Sequence, residues 1–245
     1  MAETQIVVPC YNEARRLPGD AFRAFCARSS GTDFLFVNDG STDATLERLR
    51  ELERALPRRV SVLDLERNGG KAEAVRRGML AAGKSGAEYI GYWDADLATP
   101  LEEIPRFAAL LDGRAQIELV LGARVQLLGR RVRRSPVRHY LGRVFATAVS
   151  RVLHIPVYDT QCGAKLLRNR AELVALFAEP FCVNWTFDVE LLARFLEAGR
   201  GVDALYELPL ECWEDVAGSR VRPRDFFVAL AEVARIWRRY GESLR

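Results

Sequence analysis

The chain lacks any long apolar run. No stretch approaches the roughly 18 consecutive apolar residues that a helix needs to cross a bilayer, which excludes a membrane-spanning helix. The first predicted strand covers residues 4–8, which leaves no room before it for a secretory signal. We therefore expect neither a signal peptide nor a membrane span.

Paired cysteines are also missing. The five cysteines, at positions 10, 26, 162, 182 and 212, are odd in number and scattered, and none forms a Cys-x-x-Cys motif. This pattern favours reduced thiols, hence a cytoplasmic location, and argues against a structural zinc site.

Acidic residues are absent from one long segment. Between Arg124 and Arg143 there are seven arginines and no aspartate or glutamate. The net charge of the whole chain is only +3, which is too small to predict binding to nucleic acid. An arginine-rich segment of this kind is usually a solvated surface, but it can also receive phosphate groups or an anionic lipid surface.

No internal repeat or low-complexity linker divides the chain, and 245 residues suffice for one substantial α/β core. Apolar strands and amphipathic helices alternate through the first half. Such alternation predicts right-handed β-α-β crossovers, and therefore a mostly parallel, Rossmann-like sheet flanked by helices. The predicted strands cover residues 4–8, 32–37, 60–64, 88–93 and 118–122. The predicted helices cover residues 14–28, 42–55, 71–82 and 100–111.

The second half of the chain is more variable. We predict helices over residues 137–153, 187–198 and 225–240, and short strands over 160–167 and 202–211. The last helix carries Phe226, Leu230, Val233 and Trp237 on one stripe, with arginines opposite. Core packing is the favoured role for this stripe, and docking to a membrane surface is the alternative.

The most informative stretch is the apolar strand that ends in Asp94-Ala-Asp96. Because an open α/β sheet binds ligands at the carboxyl ends of its strands, both aspartates lie where a ligand is expected. Two close carboxylates repel each other, and a hard divalent cation such as Mg²⁺ or Mn²⁺ is the usual compensation. Such a cation suggests a polyphosphate substrate. The alternative is an ordinary strand end with two solvated turn aspartates.

Three further polar clusters follow predicted strands at the same edge of the sheet. They are Pro9-Cys-Tyr-Asn-Glu13, Asn38-Asp-Gly-Ser-Thr-Asp43 and Arg67-Asn-Gly-Gly-Lys71. A carboxylate such as Asp39 can accept hydrogen bonds from a base or from ribose hydroxyls, and Lys71 can meet a phosphate. Each cluster alone could be a turn, but four in register predict one shared ligand-binding crevice.

One motif match is misleading. Residues 78–85 fit the phosphate-loop pattern G-x-x-x-x-G-K-S, but a phosphate loop must follow a strand and open a helix. Here Met79 and its neighbours continue a predicted helix, so Gly83-Lys84-Ser85 falls at a helix end. We therefore reject a P-loop nucleotide hydrolase.

Taken together, the motifs resemble the inverting nucleotide-sugar glycosyltransferases of family 2, which have the GT-A fold. In the first half the resemblance rests on Val7-Val-Pro-Cys-Tyr-Asn-Glu13, Val37-Asn-Asp-Gly-Ser-Thr-Asp43, Asn68-Gly-Gly-Lys71 and Asp94-Ala-Asp96. The second half is similar to the dolichyl-phosphate or polyprenyl-phosphate glucosyltransferase branch, through Asp159-Thr-Gln-Cys-Gly-Ala-Lys165, Phe187-Asp-Val-Glu190 and residues 213–220. The resemblance implies one GT-A domain over residues 1–245. Within it, residues 1–124 are the nucleotide-sugar-binding half, 125–224 the acceptor-side half and 225–245 a C-terminal amphipathic helix.

The resemblance also implies roles for the matched residues. Those expected around the nucleotide sugar are Pro9, Tyr11, Asn12, Glu13, Asp39, Lys71, Asp94, Arg124 and Ser219. Asp96, aided by Asp94, is expected to hold Mg²⁺ or Mn²⁺ against the diphosphate, with Arg220 beside the donor phosphates. Ala98 stands where the mannosyl branch has a polar metal-site residue, which favours a glucosyl-type enzyme.

The implied reaction is an in-line displacement at the anomeric carbon with inversion, and the acceptor decides whether a base is needed. A polyprenyl phosphate is already an anion at neutral pH, and the arginines expected to receive it are Arg130, Arg131, Arg133 and Arg134. A sugar hydroxyl needs a carboxylate base, for which Asp188 is the candidate, although Asp188 could equally hold the acceptor loop. Asp159 is expected to organise the site beneath the sugar.

Three other functions stay open on the sequence. The same chemistry could use a soluble sugar or a small-metabolite hydroxyl as acceptor. A nucleotidyltransferase also has a parallel sheet and metal-binding aspartates, but it requires a Gly-rich basic loop after its first strand. A non-enzymatic nucleotide-binding module fits the arginine-rich segment but leaves Asp94 and Asp96 unexplained. The favoured combination is UDP, glucose and a polyprenyl phosphate, with peripheral contact at the cytoplasmic face of a membrane. The oligomeric state is not specified.

Overall fold

The computed structural model describes residues 3–133, 136–214 and 223–244. Its strands, in chain order, are β1 Thr4–Cys10, β2 Thr32–Asp39, β3 Val60–Leu65, β4 Tyr89–Trp93, β5 Leu119–Ala123, β6 Arg131–Arg133, β7 Ala164–Arg168, β8 Leu205–Pro209 and β9 Cys212–Glu214. Its helices are α1 Gly19–Arg28, α2 Thr45–Ala55, α3 Lys71–Ala82, α4 Ile104–Gly113, α5 Pro136–Leu153, α6 Ala171–Val174, α7 Phe187–Glu197 and α8 Pro223–Tyr240. Short 3₁₀ turns cover Leu101–Glu103, Ala175–Phe177 and Val202–Ala204.

The central sheet has seven strands in the order β3-β2-β1-β4-β7-β5-β8. Neighbours pair in parallel except at β7, which runs antiparallel to both β4 and β5. The prediction of a mostly parallel α/β sheet is therefore confirmed. Because β7 runs in reverse, its first residues lie beside the last residues of β4, and Ala164 pairs with Trp93. The segment that precedes β7 is thereby brought to the edge where the polar clusters lie.

Alternating side chains on the strands build a core on each face of the sheet. On β1, Ile6 and Val8 join the core that includes Phe22 of α1, whereas Val7 joins the core that includes Met79 of α3. This alternation is what a strand with both faces covered by helices requires. The loops that carry polar residues are therefore left at the ends of the strands.

Several element boundaries differ from the prediction. The helix predicted over 14–28 begins only at Gly19, because Glu13 to Leu17 form a hydrogen-bonded turn and Pro18 precedes the helix. The strand predicted over 160–167 covers Ala164–Arg168, and the one over 202–211 is a 3₁₀ turn followed by β8. The ladder of β6 with β9 was not predicted, since three-residue strands carry no periodic pattern.

The last helix only partly follows the predicted stripe. Val233 is buried as expected, and the buried row continues with Ala229, Ile236 and Tyr240, whereas Trp237 is 50% exposed. Core packing is thus confirmed for this helix, with a face rotated away from Trp237. No helix within the described ranges combines the length and the apolar character that a membrane span requires.

The phosphate-loop match falls where the sequence argument puts it. Because α3 ends at Ala82, Gly83, Lys84 and Ser85 follow a helix instead of opening one. Gly78 packs against the sheet, since a Cβ there would lie 2.3 Å from Cγ1 of Val7. The glycine serves close helix–sheet packing, and the rejection of a P-loop is confirmed.

Candidate active site

A cavity of about 350 Å³ opens at the carboxyl ends of β1, β2 and β4, a volume typical of small-molecule sites. Its lining includes most of the residues expected at the donor. The lining residues are Pro9, Cys10, Tyr11, Glu13, Arg16, Asp39, Asn68, Gly70, Lys71, Ala74, Asp94, Ala95 and Asp96. Residues from all four polar clusters therefore line one crevice. Other residues of these clusters hold the loops together.

Asn12 is one of the members that hold the loops together. Its backbone lies in the left-handed region with φ of 53°, where asparagine is tolerated better than most residues. Its side-chain Oδ1 accepts a hydrogen bond from the Thr42 amide at 2.9 Å, and its own amide donates to Ser41 Oγ at 3.1 Å. Asn12 thus joins the loop after β1 to the loop after β2.

Asp39 shapes the glycine-rich turn beside the cavity. Its Oδ1 accepts from the Gly69 amide at 2.8 Å, and its Oδ2 accepts from the Gly70 amide at 2.9 Å and from Asn68 Nδ2 at 2.9 Å. Burial raises the pKa of Asp39, and the two backbone donors work against that rise. The neighbouring Gly40 has φ of +60°, and a Cβ on it would lie 2.4 Å from the Arg67 carbonyl carbon. The Asp-Gly pair is therefore required to bring residues 68–70 to the site.

Lys71 and Asp94 form an ion pair across the floor of the cavity. Nζ of Lys71 lies 2.5 Å from Oδ1 of Asp94. Burial alone would lower the pKa of Lys71, but the charges of Asp94, Asp188 and Asp96 outweigh it and raise that pKa. The lysine therefore stays cationic in the cavity.

Asp96 is the second carboxylate of the pair. Its Oδ1 accepts from the Ala98 amide at 3.1 Å. Burial and the charge of Asp94 raise the pKa of Asp96, so its ionised form is disfavoured and a nearby cation would be stabilising. Asp94 already has Lys71 as a counter-ion, which leaves Asp96 as the better candidate for a metal ligand.

The donor set fits Mg²⁺ or Mn²⁺ that is completed by a substrate. The described residues contain no cluster of three or more His, Cys, Asp or Glu side chains able to enclose a metal ion. Mg²⁺ is typically held by one or two carboxylates together with substrate phosphates, and oxygen donors of this kind are what Asp96 and Asp94 provide. A cation at this place would therefore depend on a bound diphosphate.

Gly163 packs directly against Asp94. The Asp94 amide donates to the Gly163 carbonyl at 2.9 Å, and a Cβ at Gly163 would lie 1.9 Å from Asp94 Oδ2. Only glycine leaves room for the carboxylate in this position. The contact is a direct product of the reversed β7, and the sequence did not single it out.

Asp188, in the first turn of α7, is a buried carboxylate with two partners. Nζ of Lys165 lies 2.5 Å from its Oδ1, and the Tyr92 hydroxyl donates to the same oxygen. Burial and the charge of Asp188 raise the pKa of Tyr92 well above its usual value, so Tyr92 remains a hydrogen-bond donor. Glu232 of α8 accepts from the Thr186 amide at 2.8 Å and fixes the start of α7. These contacts favour a holding role for Asp188 over that of a free base.

Asp159 and Arg124 form a bidentate pair. Nε of Arg124 donates to Oδ2 of Asp159 at 2.6 Å, and its terminal nitrogen donates to Oδ1 at 2.7 Å. The guanidinium also lies over the Trp213 ring, with its central carbon 5.3 Å from the ring centroid. Arg124 was expected near the nucleotide sugar. In the structure its positive charge is matched by the Asp159 carboxylate through two parallel hydrogen bonds, the strong bidentate geometry of arginine with a carboxylate. The Arg124 amide also donates to Asp159 Oδ2 at 3.1 Å, so this carboxylate joins the residue after β5 to the segment before β7.

Most of the chain matches a known family. The model of glycosyl transferase family 2 matches residues 5–172. The chain belongs to glycosyl transferase family 2. It is 32% identical to a dolichyl-phosphate beta-glucosyltransferase of Drosophila melanogaster over 97% of this chain and 75% of that protein. It is 31% identical to a dolichyl-phosphate beta-glucosyltransferase of Trichomonas vaginalis over 89% of this chain and 66% of that protein. The chain thus spans about two thirds to three quarters of these relatives.

The fold is shared with a crystallised enzyme of Mycobacterium tuberculosis. Glucosyl-3-phosphoglycerate synthase in complex with Mg²⁺ and UDP superimposes with a TM-score of 0.70 at 21% identity, over 98% of this chain and 80% of that one. The same synthase in complex with Mn²⁺, UDP-glucose and phosphoglyceric acid gives a TM-score of 0.64 at 21% identity, over 99% of this chain and 78% of that one. At this level of identity the likeness establishes the fold of our glycosyltransferase.

Three of the arginines expected at the acceptor are described by the structure of this glycosyltransferase, and none of the three is among the residues that line the cavity. Arg130 donates to the Pro209 carbonyl at 3.0 Å, while Arg131 and Arg133 are exposed on β6. Arg133 is 82% exposed and lies 3.6 Å from Glu214, a surface pair of small energetic value. Arg134, Ser219 and Arg220 lie outside the described residues.

One charged cavity residue of the glycosyltransferase was missed by sequence reasoning. Arg16 lines the cavity, and its Nε donates to Glu13 Oε2 at 2.9 Å. Glu13, which was expected near the nucleoside, lines the same cavity, and its carboxylate accepts this hydrogen bond from Arg16. The spacing of three residues is the only signal that could have predicted this pair.

Proposed function

We propose that this glycosyltransferase moves glucose from UDP-glucose to a polyprenyl phosphate, with inversion at the anomeric carbon and with Mg²⁺ or Mn²⁺. The observation that carries the proposal is the convergence of Lys71, Asp94 and Asp96 in one crevice at the strand ends. The names of the relatives support the choice of glucose and of a lipid phosphate. We also propose residues 1–124 as the donor half and 125–224 as the acceptor half.

In the donor half, each side chain has a separate task. Lys71 meets the diphosphate, Asp96 with Asp94 holds the cation, and Asp39 keeps the glycine-rich turn open for the nucleoside. A divalent cation, when bound, supplies Lewis-acid stabilisation of the charge that develops on the departing diphosphate. Pro9 and Tyr11 contribute the cavity wall next to the base.

The experiment is a product assay. The chain is incubated with UDP-glucose or GDP-mannose, a short polyprenyl phosphate and Mn²⁺, or with EDTA in place of the metal, and products are identified by mass spectrometry. We expect glucosyl polyprenyl phosphate from UDP-glucose, and none with EDTA. Product from GDP-mannose alone, or undiminished product in EDTA, would contradict the proposal.

The acceptor chemistry predicts the effect of Asp188→Asn. A phosphate acceptor needs no general base, because it is already an anion. We expect kcat with polyprenyl phosphate to fall less than about tenfold, and any activity with a sugar hydroxyl to fall about 100-fold or more, in the range of general-base catalysis. Kinetics on the two acceptors, compared at equal folded fraction, check this. A loss of about 100-fold or more on the phosphate acceptor would contradict this prediction.

The exposed arginines of β6 give a second prediction. Removing both in an Arg131→Ala, Arg133→Ala variant should raise the KM for polyprenyl phosphate about 30-fold, since each basic residue near an anionic surface contributes about 1 kcal/mol and the two together about 2 kcal/mol. The KM for UDP-glucose should not change. The matched control is Arg23→Ala with Arg28→Ala on α1, where both arginines are also exposed. Equal effects of the two double variants would argue against an acceptor-phosphate role for β6.

We further propose peripheral contact with a membrane at the same side of the molecule. Leu127 and Leu128, three to six residues before the β6 arginines, are exposed large apolar side chains. Apolar side chains flanked by arginines favour the boundary between lipid headgroups and acyl chains. A lipid-phosphate acceptor would be presented there.

A further inference from the structure

Of the three lysines in the chain, Lys165 alone is buried, and a fully buried lysine is costly unless its charge is matched. It lies on β7 with a side-chain exposure of 0%. Its Nζ lies 2.5 Å from Asp188 Oδ1, 2.8 Å from the Cys162 carbonyl oxygen and 3.0 Å from the Thr160 carbonyl oxygen. An ammonium has three N–H donors, so each has an acceptor.

These three acceptors belong to two different parts of the site. Asp188 is on α7, where the Tyr92 hydroxyl of β4 also donates to its Oδ1. The carbonyls of residues 160 and 162 belong to the segment between Asp159 and β7. One ammonium group therefore connects the acceptor-side helix, the donor-side strand and the loop between them.

The segment between Asp159 and β7 is important because Gly163 lies at its end, next to Asp94. Gly163 directly follows the Cys162 carbonyl and packs on the Asp94 carboxylate, where even a methyl group would not fit. A shift of the carbonyls on Lys165 would therefore carry Gly163 into or away from Asp94. Misplacement by about 1 Å at a reacting site can cost about 100-fold in rate.

We propose that Lys165 is a positioning residue for the transfer reaction. Its contacts fix the positions of Asp188 and Gly163 relative to Asp94. Its ammonium makes no contact with the cavity and acts through these neighbours. The expected effect of Lys165 on the rate of glucose transfer rests on the proposed function, whereas its expected effect on UDP binding can be measured without any transfer. The competing explanation is that the pair only stabilises the fold.

A second buried ion pair on the same helix provides a matched control. Arg194 of α7 pairs with Glu190 at 2.8 Å and donates to the carbonyls of Leu176, Glu179 and Pro180. It is buried like Lys165 and also ties a loop to α7, but neither it nor its partners line the cavity. Lys165→Met and Arg194→Met therefore remove comparable buried cations at different distances from the site.

The test compares the two variants below their unfolding midpoints. Both should lose thermal stability, because each leaves a buried carboxylate unpaired. Calorimetry of UDP with Mn²⁺ should give a Kd about tenfold weaker for Lys165→Met, in the range found for groups that orient metal ligands, and an unchanged Kd for Arg194→Met. Transfer kcat should fall about 100-fold in Lys165→Met alone.

The outcomes separate the two proposals. Equal Kd and kcat for both variants would overturn the positioning role. If Lys165→Met fails to fold, the double variant with Asp188→Asn removes both charges, and UDP binding as tight as wild type in that variant would overturn the proposal as well. A wild-type chain that transfers no glucose would count against the proposed function, while the calorimetry would still decide the role of Lys165.

Discussion

Replacing Gly163 with alanine should slow glucose transfer by at least about 100-fold while leaving the fold intact. The new Cβ would lie 1.9 Å from Oδ2, 2.2 Å from Cγ and 2.6 Å from Oδ1 of Asp94, so the whole carboxylate would have to move. The backbone cannot easily relieve the contact, because the Asp94 amide is bonded to the Gly163 carbonyl at 2.9 Å. A displaced Asp94 loses its ion pair with Lys71 and its place beside Asp96. We expect kcat/KM to fall about 100-fold to 1,000-fold, typical of misplaced reacting groups.

The measurement is steady-state transfer kinetics together with the thermal midpoint. Gly113→Ala is the control, because a Cβ at Gly113 meets nothing within 4 Å and the residue ends a helix. That variant should have wild-type kinetics. Gly163→Ala with a wild-type kcat/KM would show that the packing on Asp94 has no functional importance.

Replacing Asp96 with asparagine should have an effect of similar size by a different route. The amide keeps the shape of the side chain and removes the charge that would hold the cation. Loss of metal stabilisation of the diphosphate is expected to lower transfer by about 10³-fold, equal to about 4 kcal/mol. UDP should then no longer raise the thermal midpoint in the presence of Mn²⁺.

The same variant should not destabilise the ligand-free protein. Because burial and the charge of Asp94 raise the pKa of Asp96 in the folded state, ionising Asp96 is less favourable in the folded than in the unfolded chain, and its ionised form opposes folding. Asparagine removes that penalty, so the midpoint without ligand should stay the same or rise. Asp20→Asn, which alters an exposed carboxylate of α1, is the control and should leave UDP binding unchanged. If Asp96→Asn kept metal-dependent stabilisation by UDP, the cation site would have to lie elsewhere.

Local patterns were sufficient to predict most of the residues that line the cavity. Each polar cluster follows an apolar strand, and parallel strands bring their ends together whatever the details of packing, so Asp39, Lys71 and Asp94 could be placed in one crevice. The hydrogen-bond partners of the site residues were harder to predict from the sequence. Asn12 and Asp39 bind neighbouring loops, which depends on turn geometry that residue types alone do not specify.

The ion pairs of the second half of the chain were harder to predict because they join distant residues. Lys165 meets Asp188 across 23 positions, and Arg124 meets Asp159 across 35. Arginine in a sequence does not reveal whether its charge is already matched, so Arg124 was expected at a phosphate and is found in a buried pair. The reversal of β7 also has no local signature, since a short apolar strand reads the same in either direction.

The order of the strands has a consequence for the synthesis of the chain. β7 lies between β4 and β5 in the sheet, although β5 precedes it by 40 residues in the sequence. While the ribosome is still making residues beyond 160, β4 therefore has an unpaired edge, and β5 has no neighbour on either side. A nascent chain in this state exposes the strand edges that other chains can join. Chaperone protection is thus most needed between the completion of β5 and the emergence of β7 and β8.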